Sequence, residues 1–394
     1  MKTNIEADIS LLAGKYYIGL MSGTSADGVD LALVSFTQGK AKLVASYYQA
    51  YSPALNKKIT ALYCPNHNEI ELAFSLDIEL AYFFSQCVLA FIGQQKLSVD
   101  DIIAIGNHGQ TIRHRPSQAY PFTVQIGCSQ TLACLTNIRV IGQFRQKDIA
   151  LGGQGAPLVP AFHQQVFKKN RRDVVVVNLG GIANISYLPI AESAHVIGFD
   201  TGPANALLDD WYQKNHPNSS KKYDSKGKWA SSGTCNQALL TQFLQDEFFN
   251  KPAPKSTGRE YFNIHWLLAH LTAFEQSYQQ TLAAKDIQAS LAALTAKSLA
   301  QAISSVSQNA EVYLCGGGAH NDNLAALIAD DLQQTRASAS FDVRLSSDVG
   351  VDIDAIEAMT FAWLAYAYDH QLVSNLPSVT GAQRGCTLGC LYTP

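Results

Sequence analysis

The sequence lacks several features that would assign its protein class directly. It has no excess of positive charge, because 29 Lys and Arg residues stand against 32 Asp and Glu residues, and a nucleic-acid binder normally carries a basic surface. None of the eight cysteines belongs to a Cys-x-x-Cys pair, which argues against a structural zinc site and favours a reducing compartment. The Walker A pattern G-x-x-x-x-G-K-[ST] is missing, so a P-loop NTPase is excluded at the level of the motif.

Targeting signals and membrane-spanning runs are also missing from the sequence. The first 20 residues contain acidic side chains and no sustained apolar region, so they do not read as a secretory signal. No apolar run approaches the roughly 18 residues that span a bilayer. With 47% hydrophobic and 15% charged residues, the composition is typical of a soluble globular protein. We therefore predict a cytoplasmic protein without a membrane or nucleic-acid partner.

Two parts of the chain share one order of predicted elements. β-Rich runs at 16–22 and 29–36 flank the turn in "MSGTSADGVD", and 173–188 repeats the pattern of strand, glycine-bearing turn and strand. Both parts continue into helices, which predicts duplicated α/β domains that face each other across a cleft. The predicted domains are 1–150, completed by the C-terminal helix and tail at 355–394, and 151–354.

Other strings predict individual elements. "KLVASYYQA" would complete an antiparallel meander with the first two runs. Apolar residues three and four apart predict a helix over 68–94 and an amphipathic helix in "IDAIEAMTFAWLAYAYDH". "IIAIGNHG" predicts a short buried strand that ends in polar residues, and "HVIGFDTG" predicts a strand that runs into the helix "ANALLDDWYQ".

Three glycine-bearing turns accompany the predicted strands. The opening turn contains Gly23, Gly28 and several hydroxyl side chains, "NLGGIAN" contains Gly180 and Gly181, and "CGGGAHN" contains Gly316 to Gly318. Successive backbone N–H groups in such turns converge on anions. Each turn alone is equally consistent with an ordinary hairpin, but three of them at strand ends favour a nucleotide.

Asp200 lies in "GFDTGPANALLDDW", where a predicted strand ends and a helix is about to begin. A carboxylate there can face a cleft beside backbone N–H groups. The alternative is that Asp200 or Thr201 is a turn residue or a helix N-cap, a common use of both residue types. The triplet Asp-Thr-Gly also marks aspartic proteases, but such a site needs two carboxylates that share a proton, and the triplet occurs once in this chain.

Further polar residues suit a small-molecule substrate. In "GNHGQTIRHRP", His108 and Thr111 could read sugar hydroxyls, although a lone histidine in a loop is more often an ordinary surface residue. Arg145 has the planar fork that binds a carboxylate, or it forms a surface salt bridge. Glu357 lies early in an apolar helix, where a negative charge is favourable in any case.

Taken in order, these strings carry a family resemblance over nearly the whole chain. They are "GLMSGTSADGVD", "GNHGQTIRHRP", "GGQGAPLVPAFH", "NLGGIANIS", "GFDTGPANALLDDW", "PAPKSTGREYFN" and "CGGGAHN". The sequence resembles the anhydro-N-acetylmuramic acid kinases of the acetate and sugar kinase, Hsp70 and actin superfamily. This resemblance implies an α/β fold of two ribonuclease-H-like domains, each a mixed β-sheet flanked by helices, around a nucleotide-binding cleft.

The resemblance also implies a reaction. Water opens the 1,6-anhydro ring of 1,6-anhydro-N-acetylmuramic acid while O6 takes the γ-phosphoryl group of ATP, giving N-acetylmuramic acid 6-phosphate and ADP in cell-wall recycling. Mg²⁺ is expected with ATP, held mainly by phosphates and water, and a homodimer is expected. By similarity, Asp200 is the general base, and His108, Thr111, Arg145 and Glu357 bind the sugar. The implied nucleotide contacts are Gly23, Thr24, Ser25, Asp27, Gly28, Gly180, Gly181, Gly316, Gly317 and Gly318.

One departure and three rival functions stay open at this point. The family pattern has "DFR" where this chain has "QFR", Gln143 to Arg145. The neighbouring Asp148 could substitute for the missing carboxylate, or the position is only structural.

The rivals are a sugar kinase without ring opening, an ATP-binding chaperone or filament protein, and a glycosidase. No appended client-binding domain is evident for the second rival, and three phosphate-type turns argue against the third.

Overall fold

The computed structural model describes residues 15–394 except 24–25, 66, 169–170, 192, 254 and 335–338. Contacts divide the chain into two compact units. The terminal unit comprises Met1–Val166 and Ala355–Pro394, and the central unit comprises Phe167–Asp354.

Each unit has one β-sheet, and helices connect or follow the strands. The strands are β1 (Tyr16–Ser22), β2 (Gly28–Thr37), β3 (Lys40–Ala50), β4 (Ile102–Arg115), β5 (Phe122–Ile126), β6 (Val140–Gly142), β7 (Asp173–Leu179), β8 (Ile182–Leu188), β9 (Ile197–Pro203), β10 (Asn309–Cys315), β11 (Ser340–Leu345) and β12 (Cys390–Tyr392). The helices are α1 (Pro53–Ala61), α2 (Glu69–Gln94), α3 (Ser129–Thr136), α4 (Gln146–Ala150), α5 (Val159–Phe167), α6 (Asn205–Asn215), α7 (Lys228–Ser231), α8 (Gln237–Leu244), α9 (Glu247–Asn250), α10 (Ile264–Tyr278), α11 (Ala284–Val306), α12 (Asp322–Gln334), α13 (Ile356–Asp369) and α14 (Pro377–Thr380).

The two sheets have the same strand order and orientation over five strands. In the terminal unit the order is β12-β6-β4-β1-β2-β3, with β5 paired to β4, and in the central unit it is β11-β10-β7-β8-β9. An antiparallel meander, β1-β2-β3 or β7-β8-β9, opens each sheet. The first strand of each meander then pairs in parallel with a later strand, β4 or β10. The predicted meanders, the duplication and the mixed α/β class are confirmed.

Helix α13 packs directly on the terminal sheet. A Cβ atom added to Gly19 or Gly106 would overlap the backbone of this helix, so the two glycines allow helix and sheet to approach closely. Nearly every α13 residue from Ile356 to Ala365 is buried. The predicted helix is therefore confirmed, but its predicted amphipathic character is wrong, because the helix is covered on almost all of its sides.

Helix α2, predicted over 68–94, is confirmed and forms part of the core of the terminal unit. Leu80, Phe84 and Val88, one turn apart, are buried in that core, whereas Ile70 and Phe74 are exposed. By length and composition alone this helix could cross a membrane, a test that core helices of soluble proteins also pass. The sequence criterion missed it because polar residues interrupt its apolar run.

Two strands are longer than the sequence patterns predicted. Strand β4 continues through the polar string "GNHGQTIRHR", so His108 is a buried strand residue and not a loop residue. Strand β9 continues to Pro203, so Asp200 lies inside the strand, paired with Asn184 of β8. In both cases ladder hydrogen bonds to neighbouring strands extend the strand past the end of its apolar run.

Candidate functional site

The Asp200 carboxylate is held by a loop that lies more than fifty residues later in the chain. Its Oδ2 atom accepts hydrogen bonds from the Ser256 hydroxyl and the Thr257 backbone N–H, both at 2.9 Å. The Asp200 N–H donates to the Lys255 carbonyl, also at 2.9 Å. Among the described residues Oδ1 accepts no hydrogen bond, so one oxygen is fixed and the other is left for a ligand.

Burial and hydrogen bonding act in opposite directions on this group. Burial raises the pKa of Asp200, the hydrogen bonds from Thr257 and Ser256 lower it, and the nearby charge of Glu260 raises it again. The net direction is upward, which makes the carboxylate a better proton acceptor. Asp200 is not a helix N-cap, because residue 204 occupies that position for α6.

The residues that hold Asp200 were not predicted from the sequence. Ser256 and Thr257 belong to the string "PAPKSTGREYFN", which entered only as part of the family resemblance. Lys255 anchors this loop by donating to the carbonyls of Phe248 and Phe249 at 2.9 and 3.0 Å. A Lys-Ser-Thr-Gly run offers consecutive hydroxyl and N–H donors, and that signal could have marked it as a partner for a carboxylate.

The Gly180-Gly181 turn joins β7 to β8 in the central unit. Its carbonyl groups accept hydrogen bonds from the backbone N–H groups of Ala204, Asn205 and Ala206 at 3.0 Å. These N–H groups at the start of α6 therefore bind the Gly180-Gly181 turn. A Cβ atom added to Gly180 or Gly181 would make ordinary contacts or slightly tight ones. Packing within the protein therefore gives little reason for two glycines here, whereas a ligand that approaches the backbone would.

Gly317 and Gly318 border a cavity of about 350 Å³ in the central unit. A Cβ atom added to Gly317 would meet no atom within 4 Å, so its backbone is open to a ligand. The cavity is lined by Asn205, Leu208, Asp209, Tyr223, Asp224, Lys226, Gly317, Gly318, His320 and Asn321. Burial raises the pKa of Asp209 to about 7. The cavity thus combines open backbone with carboxylates and a tyrosine ring.

The opening turn of the terminal unit is fixed at both ends by buried polar groups. The Ser22 hydroxyl donates to Gln110 Oε1 at 2.5 Å, and Gln110 Nε2 donates to the Gly23 carbonyl at 2.9 Å. On the other side, the Tyr51 N–H donates to the Asp27 carbonyl at 2.8 Å. Of the predicted contacts in this turn, Thr24 and Ser25 lie outside the described residues. Gly28 begins β2 opposite Ala50 of β3, and a Cβ atom there would overlap the Gln49 carbonyl.

His108 and Arg145 contact each other directly. Arg145 donates from Nε and Nη2 to His108 Nε2, at 3.1 and 2.9 Å. Because a guanidinium has no acceptor, Nε2 carries no proton, and Nδ1–H donates to the Ser22 carbonyl at 3.2 Å. Burial and the Arg145 charge hold the pKa of His108 well below its ordinary value. The imidazole is therefore a neutral acceptor that orients the arginine.

Arg145 is partly buried, and nearby negative charges compensate part of its own charge. Burial lowers its pKa to about 10, while the negative charges of Glu357 and Asp148 oppose the shift. Its Nη1 atom donates to the Gly155 carbonyl at 2.8 Å. The structure therefore brings His108, Arg145 and Glu357 together, and it does not add Thr111, whose hydroxyl accepts from Gln125 Nε2 at 3.1 Å.

A polar cavity of about 220 Å³ lies beside His108 in the terminal unit. Its lining includes Asn107, Gln125, Ser129 and the exposed Gln143. Gln143, the departure from the family pattern, has a positive φ of 55°. The hydrogen-bond partners of Arg145 are His108 and Gly155, so Gln143 does not orient the guanidinium.

Metal-binding side chains are not clustered in the described part of the chain. There, no group of three or more His, Cys, Asp or Glu residues has the arrangement of a metal site.

Comparisons with known proteins give a consistent result. The sequence model of a family described as anhydro-N-acetylmuramic acid kinase matches residues 15–394. A Colwellia psychrerythraea protein named anhydro-N-acetylmuramic acid kinase is 56% identical over 389 residues, covering 97% of this chain and 98% of that protein. A Shewanella denitrificans protein of the same name is 45% identical over 379 residues, with 96% and 98% coverage.

Solved structures overlap the chain at lower similarity. One of them is the Acidaminococcus fermentans (R)-2-hydroxyglutaryl-CoA dehydratase component A, which superposes on this chain with a TM-score of 0.43 and 12% sequence identity. The match covers 91% of this chain and 100% of the other.

Proposed function

This chain belongs to the anhydro-N-acetylmuramic acid kinase family and is a kinase, and from that premise we propose that it acts on 1,6-anhydro-N-acetylmuramic acid. Water opens the anhydro ring, O6 is phosphorylated by ATP, and the products are N-acetylmuramic acid 6-phosphate and ADP, for recycling of the cell wall. The observation that carries this proposal is the Asp200 carboxylate, with one oxygen fixed by two donors and the other available.

Asp200 is the general base in the proposed reaction. Its Oδ1 atom takes a proton from water as the water oxygen bonds to C1 and the C1–O6 bond breaks. The electron pair of that bond stays on O6, which attacks the γ-phosphorus, and the bond to the β-phosphate oxygen breaks to release ADP. A positioned carboxylate with a raised pKa suits this proton transfer, because general-base efficiency improves as the pKa approaches the working pH.

The glycine turns hold the nucleotide in this proposal. Gly180 and Gly181 offer backbone that a phosphate can approach, and the opening turn around Gly23 supplies a second set of N–H groups. Gly317 and Gly318 border the cavity that accommodates the nucleoside. Phosphoryl transfer depends on such positioning and on charge neutralisation, and Mg²⁺ bound through the phosphates supplies part of that neutralisation.

The terminal unit supplies the sugar contacts. Arg145 spends three of its N–H groups on His108 and Gly155, which leaves one on each Nη atom to bind the lactyl carboxylate as a fork. The polar cavity beside His108 suits sugar hydroxyls and the acetamido group. Glu357 completes the proposed sugar-binding set beside Arg145, and Thr111 contributes to it through Gln125, which donates to the Thr111 hydroxyl and lines the cavity. We also propose a cytoplasmic homodimer.

The first test is ADP release with ATP, Mg²⁺ and 1,6-anhydro-N-acetylmuramic acid, with reactions lacking sugar or containing N-acetylglucosamine as controls. Release with the anhydro sugar alone is expected, and in ¹⁸O-labelled water the product carries one ¹⁸O atom at C1 in addition to the phosphate. Equal release with N-acetylglucosamine would replace the proposal with a plain sugar kinase, and no stimulation by any sugar would overturn it.

A further inference from the structure

Asp148 is a buried carboxylate, and every hydrogen bond that it accepts from the described residues comes from a neutral donor. It is 0% exposed, and Oδ2 accepts from the Gly155 N–H at 2.8 Å. Oδ1 accepts from the Asn375 amide and the Thr380 hydroxyl, both at 2.8 Å. A buried charge is costly unless its hydrogen-bonding capacity is met, and these three donors meet much of it.

The same glycine that donates to Asp148 also accepts from Arg145. The Gly155 N–H points to Asp148 and its carbonyl accepts from Arg145 Nη1 at 2.8 Å. Gly155 has a φ of 68°, and a Cβ atom there would lie 2.9 Å from Ile149 Cγ1 and 3.1 Å from the Arg145 carbonyl oxygen. The peptide is thus fixed from both sides in a space that fits only glycine.

The C-terminal segment braces this arrangement. Thr380 donates to Asp148 with its hydroxyl, and its carbonyl accepts from the Gln154 N–H at 2.8 Å. Asn375 donates to Asp148 and accepts from the Cys386 N–H at 2.7 Å. The carboxylate therefore joins α4, the loop before α5 and the segment around α14.

We propose that Asp148 is a positioning residue for Arg145, because it fixes the Gly155 carbonyl that holds the guanidinium against His108. Asp148 does not touch the substrate in this role. Only the expected effect on sugar binding by Arg145 rests on the proposed function. The arrangement of Arg145 and His108 can be measured without any substrate.

The test compares Asp148→Asn with Asp369→Asn, a matched variant of another buried aspartate in the same unit. Asp369 pairs with Arg139 at 2.7 Å and accepts from the Tyr17 hydroxyl at 2.9 Å, so it is expected to affect stability only. Long-range ¹H–¹⁵N spectra of the full chain without ligand report the His108 tautomer. We expect the Nδ1–H form in the wild type and in Asp369→Asn, and a mixture of tautomers in Asp148→Asn.

Kinetics supply the second readout. In Asp148→Asn the KM for the anhydro sugar should rise about tenfold, as when a buried hydrogen bond is lost, while the KM for ATP stays unchanged. An unaltered tautomer and sugar KM in folded Asp148→Asn would overturn the proposal, and wild-type protein inactive on the sugar would overturn the proposed function instead. If Asp148→Asn does not fold, Thr380→Val, which removes one donor and keeps the carboxylate, should show the same changes at smaller size, and wild-type values there would overturn the role.

Discussion

A Cβ atom added to Gly316 would overlap the Asn178 amide oxygen, whereas one added to the next residue, Gly317, would meet nothing within 4 Å. Gly316 also has a φ of 79°, a region that side chains other than glycine adopt at a cost. The two adjacent glycines therefore answer different requirements. The fold needs the first, and an approaching ligand is the better reason for the second.

Substitution by alanine should separate these requirements. Gly316→Ala is expected to lower the free energy of unfolding by about 1–3 kcal/mol, the usual cost of a strained backbone. Gly317→Ala should leave it within about 0.5 kcal/mol and raise the KM for ATP. Urea unfolding and ADP-release kinetics measure the two effects, and a Gly317→Ala variant with normal ATP kinetics would remove this residue from the nucleotide site.

Asp200→Asn keeps the shape of the side chain and removes the base. We expect kcat to fall by about 10²- to 10⁴-fold, the usual contribution of a positioned base, while the Kd for ATP stays nearly unchanged. Ser256→Ala, which removes one donor to Oδ2, should cause a smaller loss. Steady-state ADP release and calorimetric titration with ATP check both variants. Near-normal turnover of Asp200→Asn would exclude Asp200 as the base.

Much of the fold was predictable from the sequence, because runs rich in β-branched, aromatic and other apolar residues mark the strands of both meanders. The ends of β4 and β9 were not, since their polar continuations are strands only where neighbouring strands supply the ladder. Strand β12, three residues long, depends on pairing with β6, a contact that no local pattern records.

The candidate site was predictable to a similar degree. Asp200 and Arg145 stood out by chemistry and by their motifs. Their partners Thr257 and Gly155 contribute backbone groups, which any residue type carries. Around Asp200 the signal in the sequence is therefore the neighbouring Ser256 hydroxyl within the Lys-Ser-Thr-Gly run.

Buried histidines predict a dependence of stability on pH. An unfolded histidine has a pKa of about 6.5. In the folded chain, burial lowers the pKa of His163 to about 3 and holds the pKa of His108 well below the ordinary value. Between the folded and unfolded pKa values, the unfolded chain binds protons that the folded chain does not. The free energy of unfolding is therefore highest above about pH 6.5 and decreases as the pH falls. For His163 alone the loss at pH 5 is about 2 kcal/mol.

Glutamine variants of the two histidines provide a matched comparison. His163→Gln and His108→Gln should each make Tm fall less between about pH 6.5 and about pH 5. In this range the unfolded histidines take up protons and the buried ones do not. Only His108→Gln should also raise the KM for the sugar, because His108 orients Arg145. Thermal unfolding over this pH range measures the first effect, and a Tm decline as steep in both variants as in the wild type would contradict the assignment of buried, neutral imidazoles.

Gln110 links the buried part of β4 to the opening turn, and its replacement should loosen that turn. Gln110→Leu removes the hydrogen bonds to Ser22 and to the Gly23 carbonyl, so the turn is less preorganised for the phosphates. We expect the KM for ATP to rise about tenfold, as for the loss of one or two buried hydrogen bonds.

Gln125→Leu is the control, because Gln125 lies on the neighbouring β5 and bonds to Thr111 and Thr123 at 3.1 and 2.7 Å. That variant should keep the ATP KM of the wild type. Equal ATP kinetics in both folded variants would mean that the turn holds its shape without Gln110, and the phosphate contacts would then have to be sought elsewhere in the terminal unit.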